Sequence, residues 1–85
     1  MRLEKLLTMN DSEVQGWLIK VHSGKELDTL VTAMAGADEA VSGRVFANMT
    51  PRAASVLRDD IRAKQAGNPS ESDISKAAAR LEKLI

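Results

Sequence analysis

The chain has 85 residues, 44% hydrophobic and 28% charged, which is the balance of one small globular domain spanning residues 1–85. Twelve basic and twelve acidic residues cancel, and Trp17 and Phe46 are the only aromatic residues, so neither bulk charge nor base stacking favours a nucleic-acid binder. Cysteine is absent, which excludes disulfides, and no apolar run approaches the ~20 residues of a membrane span, so we expect a soluble intracellular domain without direct membrane insertion.

The first two predicted elements meet at a capping box. Residues 3–7 favour a short opening turn. Asn10 and Glu13 then have the spacing at which each side chain accepts a hydrogen bond from the other residue's backbone N–H, and they predict a helix over about residues 11–21. Trp17 lies on the apolar stripe of this helix, so we interpret it as core and not as a binding site. Gly16 weakens the helix by roughly 1 kcal/mol relative to alanine, and close packing at this position is one reason for a glycine here.

Two further helices are predicted after a connection at residues 22–25. Ser23 and Glu26 repeat the capping-box spacing and predict a helix that ends near Gly36. We expect its buried stripe to consist of Leu27, Leu30, Val31 and Met34. The next helix is predicted over about residues 38–48, and its inward side chains are Val41, Val45 and Phe46.

Residues 50–64 predict a helix that begins sharply and carries a dense pattern of charges. Thr50 suits the N-cap position, and Pro51 suits the first helical position, where no N–H is needed. On a helical projection, one side is a thin apolar edge formed by Ala53, Ala54, Leu57 and Ile61. The other side carries Ser55 and the charges that we call the charged ridge: Arg52, Arg58, Asp59 and Arg62, with Asp60 at the margin. Such a ridge is either a solubilising surface or a surface that another charged protein binds.

The end of the chain predicts a loop and one more amphipathic helix. Residues 65–69 combine glycine, asparagine and proline, which favours a loop. The last helix is predicted to start at Ser70 or Ser72 and to run to the end, with an apolar stripe of Ile74, Ala77, Ala78, Leu81, Leu84 and Ile85. No segment shows the two-residue alternation of a half-buried strand. Five or six short helices joined by short loops predict an all-α fold, a compact helical bundle.

The chemistry of the side chains favours a non-enzymatic protein. His22 is the only histidine, and we expect it to be a solvated loop residue. Asp59 and Asp60 are adjacent, so their side chains diverge by about 100° on a helix and share no pocket. We therefore predict no catalytic residue, no cofactor and no metal site. A small hydrolase that uses His22 is kept as a minor alternative.

The segment at residues 46–60, FANMTPRAASVLRDD, closely resembles the hallmark segment of the C-terminal domain of FliG, the bacterial flagellar motor switch protein. Residues 6–11, followed by Val14, Gln15 and Leu18, resemble the opening helices of that family. Residues 33–37, AMAGA, are similar to its characteristic turn, and residues 72–74 match before the last helix. The resemblance therefore covers nearly the whole chain and implies the FliG C-terminal, armadillo-like type of helical bundle.

The resemblance implies a role in flagellar rotation. In the family, this helical domain presents a charged helix to the cytoplasmic loop of the stator protein MotA, and complementary charges transmit torque and switching. The family's charged positions fall on Arg52, Asp59 and Asp60 of this sequence. The implied location is cytoplasmic, at the cytoplasmic face of the flagellar basal body, and other switch-complex proteins are expected to bind regions outside this chain.

The chain departs from the family pattern at several positions. Ala35 stands where the family usually has a lysine, and the loop at residues 67–70 has no clear equivalent of a family arginine. A short insertion lies around residues 22–26. These differences keep open an alternative, a divergent FliG-like helical module that binds a non-flagellar partner.

Overall fold

The structure, a computed structural model, describes residues 3–85. Within that range it contains a short 3-10 helix at Glu4–Leu7, five α-helices and no strand. The α-helices are α1 (Asp11–Ser23), α2 (Leu27–Ala35), α3 (Glu39–Phe46), α4 (Pro51–Ala66) and α5 (Glu71–Glu82). The predicted all-α bundle is therefore confirmed, and the predicted helix ends differ from the observed ones by up to about three residues.

Local side-chain caps explain where three of the helices begin. Asn10 accepts a hydrogen bond from the N–H of Glu13 over 2.8 Å, and the Glu13 carboxylate accepts one from the N–H of Asn10 over 3.0 Å. Thr50 caps α4, whose first residue is a proline, and Ser70 rather than Ser72 caps α5. These caps satisfy backbone donors that have no partner inside the helix, so each helix begins at a defined residue.

The second predicted capping box is not formed. The helix α1 continues to Ser23, so Ser23 and His22 are helical and do not belong to the connection. Glu26 occupies the N-cap position of α2 without a side-chain cap. Its carboxylate instead accepts hydrogen bonds from Thr29 Oγ1 over 2.6 Å and from Arg80 Nε over 2.9 Å. The prediction was wrong because its spacing rule takes no account of partners such as Arg80 on a distant helix.

The helix α2 packs against both α4 and α5, and this contact forms most of the core. The buried stripe of α5 consists of Ile74, Ala77, Ala78 and Leu81. Because α5 ends at Glu82, Leu84 is only half-buried and Ile85 is exposed, which corrects the prediction that both belong to the stripe. Phe46 is half-buried and packs against the core from the end of α3.

Gly16 and Gly36 differ in their surroundings. A Cβ added at Gly16 would meet nothing within 4 Å, so close packing does not explain this glycine. A Cβ added at Gly36 would lie 2.6 Å from Ile74 Cγ2 and 2.9 Å from Ile74 Cδ1. A larger residue at position 36 would therefore require the buried Ile74 side chain of α5 to shift.

Arg44 connects α3 to the beginning of the chain. Its Nε donates a hydrogen bond to the carbonyl of Leu6 over 3.3 Å, and its guanidinium also donates to the carbonyl of Met9 and to the carboxylate of Asp11. The hydrogen bond and the charge of this guanidinium lower the pKa of Asp11 below its usual value of 3.8.

In residues 3–85, no helix is long and apolar enough to cross a membrane.

Candidate protein-binding surface

The helix α4 exposes all five residues of the charged ridge. Its buried side consists of Ala54, Leu57 and Ile61, which are 5%, 6% and 7% exposed. The ridge residues themselves are exposed: Arg52, Arg58, Asp59, Asp60 and Arg62. Because these side chains are exposed, another protein could reach them without rearrangement of the fold. Their role in binding stays a prediction.

The charged ridge extends around three sides of α4 and does not form one line. At about 100° of rotation per residue, Arg52 and Asp59 lie opposite the buried side and within about 20° of each other. Asp60 lies on one flank, whereas Arg58 and Arg62 lie on the other, so Asp60 and Arg58 are about 160° apart. A single partner surface can therefore contact Arg52 and Asp59 together with one flank, but not both flanks.

The two flanks of α4 have different neighbours. The guanidinium carbon of Arg58 lies 4.6 Å from the centre of the Phe46 ring, which is a cation–π contact between α4 and α3. Within the described range 3–85, no ion pair involves any residue of the charged ridge. Arg52, Asp59 and Asp60 therefore have no ion-pair partner among the described residues.

A depression lies beside the flank of α4 that carries Asp60. We call it the apolar groove: an open space of about 840 Å³ between α1, the start of α2 and the first half of α4. Its apolar lining consists of Leu18, Ile19, Leu27, Leu30, Val31, Met49, Ala53, Val56 and Leu57. Its polar lining consists of Gln15, His22, Asn48, Thr50, Arg52 and Asp60. Two residues of the charged ridge thus also line the apolar groove.

Three large apolar side chains of the groove are exposed to solvent: Ile19 is 66% exposed, Val56 56% and Leu27 48%. Leu27 and Ala53 were predicted to be core, and both predictions were wrong, because these residues face the groove where no other element covers them. The sequence analysis missed Ile19 and Val56. The signal that identifies them is present in the sequence, since each lies off the apolar stripe of its own helix.

A second depression lies on the other side of Asp60. It has a volume of about 740 Å³ and is lined by α2, α4 and the start of α5. Asp28, Asp60 and Asp73 contribute carboxylates, and Lys64 Nζ lies 3.6 Å from Asp28 Oδ1. In the described part of the chain, no group of three or more carboxylate or histidine side chains could hold a metal ion.

His22 is an exposed residue of the last turn of α1 and lines the end of the apolar groove. The prediction that it lies in a loop was wrong, because α1 is longer than its apolar stripe indicated. No hydrogen bond joins the His22 side chain to another residue described by the structure.

Comparison with known proteins identifies one family. A family model described as the FliG C-terminal domain matches residues 1–85. The flagellar motor switch protein FliG of Pseudomonas aeruginosa is 44% identical over 61 residues, an alignment that covers 72% of this chain and 17% of that relative. The comparison therefore concerns a small part of the relative's length. No solved structure gives a significant match.

Proposed function

The chain belongs to the FliG C-terminal domain family, and from this membership we propose that it is the rotor-side contact domain of a flagellar motor switch. In this proposal, the exposed charges of α4 bind the cytoplasmic loop of the stator protein MotA and transmit torque and switching. The observation that carries the proposal is that Arg52 and Asp59 lie together on the outermost side of α4. Both are exposed, and neither has an ion-pair partner in the described residues.

The role is that of a binding protein and not of an enzyme, which agrees with the family being one of motor switch proteins. A rotor contact has to form and break repeatedly as it moves past the stator. Exposed ion pairs suit this requirement, because each contributes only about 0–1 kcal/mol and long-range attraction speeds their formation.

The geometry of α4 suggests a division of roles within the charged ridge. Arg52 and Asp59 point away from the core on the same side, so one partner surface meets a cation and an anion together. Asp60 extends this contact toward the apolar groove. We assign Arg58 and Arg62, on the opposite flank, to long-range attraction of an acidic partner and not to the direct contact.

The proposed location is the cytoplasmic face of the flagellar basal body. Contacts with the other proteins of the switch complex are assigned to regions outside these 85 residues, because the alignment spans only a small part of the flagellar relative.

The test is a titration of the purified 85-residue chain with the cytoplasmic loop of the stator protein at low and high salt. We expect binding at low salt that weakens by about tenfold or more when the ionic strength rises from 50 to 500 mM, because the screening length falls from roughly 14 Å to roughly 4 Å over this range. Asp59→Lys should weaken binding, and the matched control Lys76→Glu, an exposed change on α5, should not.

A folded chain that does not bind the stator loop at any salt concentration would contradict the proposal. That result would favour the alternative, a FliG-like helical module with a non-flagellar partner, and Ala35 and the altered loop at residues 67–70 are the sequence features that agree with it.

A further inference from the structure

We propose that the apolar groove binds an amphipathic helix of the partner, whose apolar side chains enter between Ile19, Leu27 and Val56 while a carboxylate meets Arg52 and a cation meets Asp60. The identity of the partner rests on the proposed function, but the chemistry of the site does not. The groove adds an apolar component to a contact that the charged ridge alone would make purely electrostatic.

The first argument is the exposure of apolar surface. Ile19, Val56 and Leu27 are each about half or more exposed, and they come from three different helices that surround one depression. Isolated exposed apolar residues are ordinary on protein surfaces, but a group that shares one concave site is typical of a binding surface. Their burial by a partner removes apolar area from water and favours binding.

The second argument is the nature of the groove walls, which selects a helix over an extended peptide. The walls are α1, α2, α4 and the connection at residues 48–50, and residues 3–85 contain no strand, so an extended segment has no free sheet edge with which to pair. A helix satisfies its own backbone and offers an apolar stripe from residues three and four apart. An open depression of about 840 Å³ beside α4 has room for such a stripe.

The third argument is charge complementarity along α4. Arg52 and Asp60 both line the groove and are eight residues apart, which is about 12 Å along the helix axis, with Val56 midway between them. This side of the groove therefore presents a cation, an apolar side chain and an anion in order. A bound helix that carries an acidic, an apolar and a basic residue at the same spacing can contact Arg52, Val56 and Asp60 in that order when it runs in the same direction as α4. If the same helix binds in the reverse direction, its charges face like charges.

The experiment uses two synthetic helix-forming peptides as probes. The first has Glu, Leu and Lys at positions i, i+4 and i+8 and a second Leu at i+5 in an alanine-rich sequence. The control peptide has Gln in place of both the Glu and the Lys, because a peptide with the two charges exchanged could bind with matched charges in the reverse direction. Binding to the isotope-labelled 85-residue chain is followed by the shifts of backbone amide resonances. We expect saturable shifts at Ile19, Leu27 and Val56, and a dissociation constant about three- to tenfold weaker for the control peptide.

Exposed apolar variants test the site itself. Val56→Ser and Ile19→Ser change exposed side chains, so both variants should fold, and each should weaken the first peptide severalfold. The matched control Ile85→Ser removes an exposed apolar residue outside the groove and should leave binding unchanged. The proposal is overturned if the shifts map elsewhere, if no saturable shift occurs, if both peptides bind equally, or if folded Val56→Ser binds like the unaltered chain.

A parallel titration with the stator loop separates this inference from the proposed function. Asp59→Lys changes a charge that does not line the groove, so it should weaken binding of the stator loop by about tenfold and binding of the peptide much less. If the peptide binds in the groove and the stator loop does not bind, the groove is supported and the stator role fails. If the stator loop binds, and Val56→Ser weakens neither the binding of the stator loop nor the binding of the peptide, the stator role is supported and the groove fails.

Discussion

The indole nitrogen of Trp17 donates a hydrogen bond to the backbone carbonyl of Leu81 over 3.0 Å and so joins α1 to the last turn of α5. Trp17 is 2% exposed and Leu81 is fully buried, so water does not compete for this bond. Because α1 forms one wall of the apolar groove, the bond helps to hold that wall against the core. The sequence analysis interpreted Trp17 as core, which is confirmed.

Trp17→Phe should lower the free energy of unfolding by about 1–3 kcal/mol. The smaller ring leaves a gap in the core, and the hydrogen bond to α5 is lost. The carbonyl of Leu81 keeps a second donor, the N–H of Leu84 at 3.0 Å, so it is not left unpaired. Urea unfolding followed by circular dichroism measures the change, since the variant has no tryptophan to report by fluorescence. An unchanged midpoint would show that neither the bond nor the ring volume contributes.

Alanine substitution of two glycines should change stability in opposite directions. Gly16→Ala should raise the free energy of unfolding by about 0.5–1 kcal/mol, because alanine favours the helix and its Cβ meets nothing within 4 Å. Gly36→Ala should lower it by about 1–3 kcal/mol, because its Cβ would overlap Ile74 in the core. Thermal unfolding of the two variants side by side measures both. Equal shifts of the same sign would contradict the packing described for these two sites.

Helix starts could be predicted from the sequence where both capping partners lie within one turn. The box of Asn10 and Glu13 is of this kind, and it forms as predicted. The box of Ser23 and Glu26 failed because Glu26 binds Thr29 and Arg80 instead. Arg80 is 54 residues away along the chain. A spacing rule within one turn cannot include such a partner, since only the packing of α5 brings it close.

The position of the groove could not be predicted from helical periodicity. Periodicity shows which side of a helix is apolar, but it does not show whether another helix covers that side. Leu27, at the first turn of α2, and Ala53, at the first turn of α4, were both predicted to be core, and both line the groove. The exposure of Arg52 and Asp59 was easier to predict, because it depends only on their position opposite the buried side of α4.

The stability of the chain should fall in acid in part because of Glu26. Hydrogen bonds from Thr29 and then from Arg80 lower the pKa of this carboxyl below its usual value of 4.5. The pKa is therefore lower in the folded than in the unfolded chain. The resulting stabilisation is fully present above pH 4.5 and is lost as the pH falls through the lower folded-state pKa.

Glu26→Gln should reduce this acid dependence. The variant should be less stable than the unaltered chain at pH 7, and the difference between their melting temperatures should shrink as the pH falls from 5 to 3. Glu39→Gln is a suitable control, because Glu39 is exposed at the start of α3 and forms no ion pair within the described residues. A difference that stays constant across this pH range would show that the charge of Glu26 is not what stabilises the fold.

Charge reversal on different sides of α4 should separate the direct contact from long-range attraction. Asp59→Lys should weaken binding of the stator loop by about tenfold, because an attraction becomes a repulsion at the outermost side of the helix. Arg58→Glu lies on the far flank and should weaken binding less, chiefly by slowing association at low salt. Titrations at two salt concentrations, together with association rates, measure both effects.

Both substitutions change exposed side chains, so the helix content should not change. Asp59→Lys should shift the free energy of unfolding by less than about 0.5 kcal/mol, and Arg58→Glu by up to about 1 kcal/mol, since it also removes the contact with the Phe46 ring. If Arg58→Glu weakened binding as much as Asp59→Lys did, and did so through faster dissociation, the partner would have to contact the flank next to α3. The apolar groove, on the opposite flank, could then not belong to the same interface.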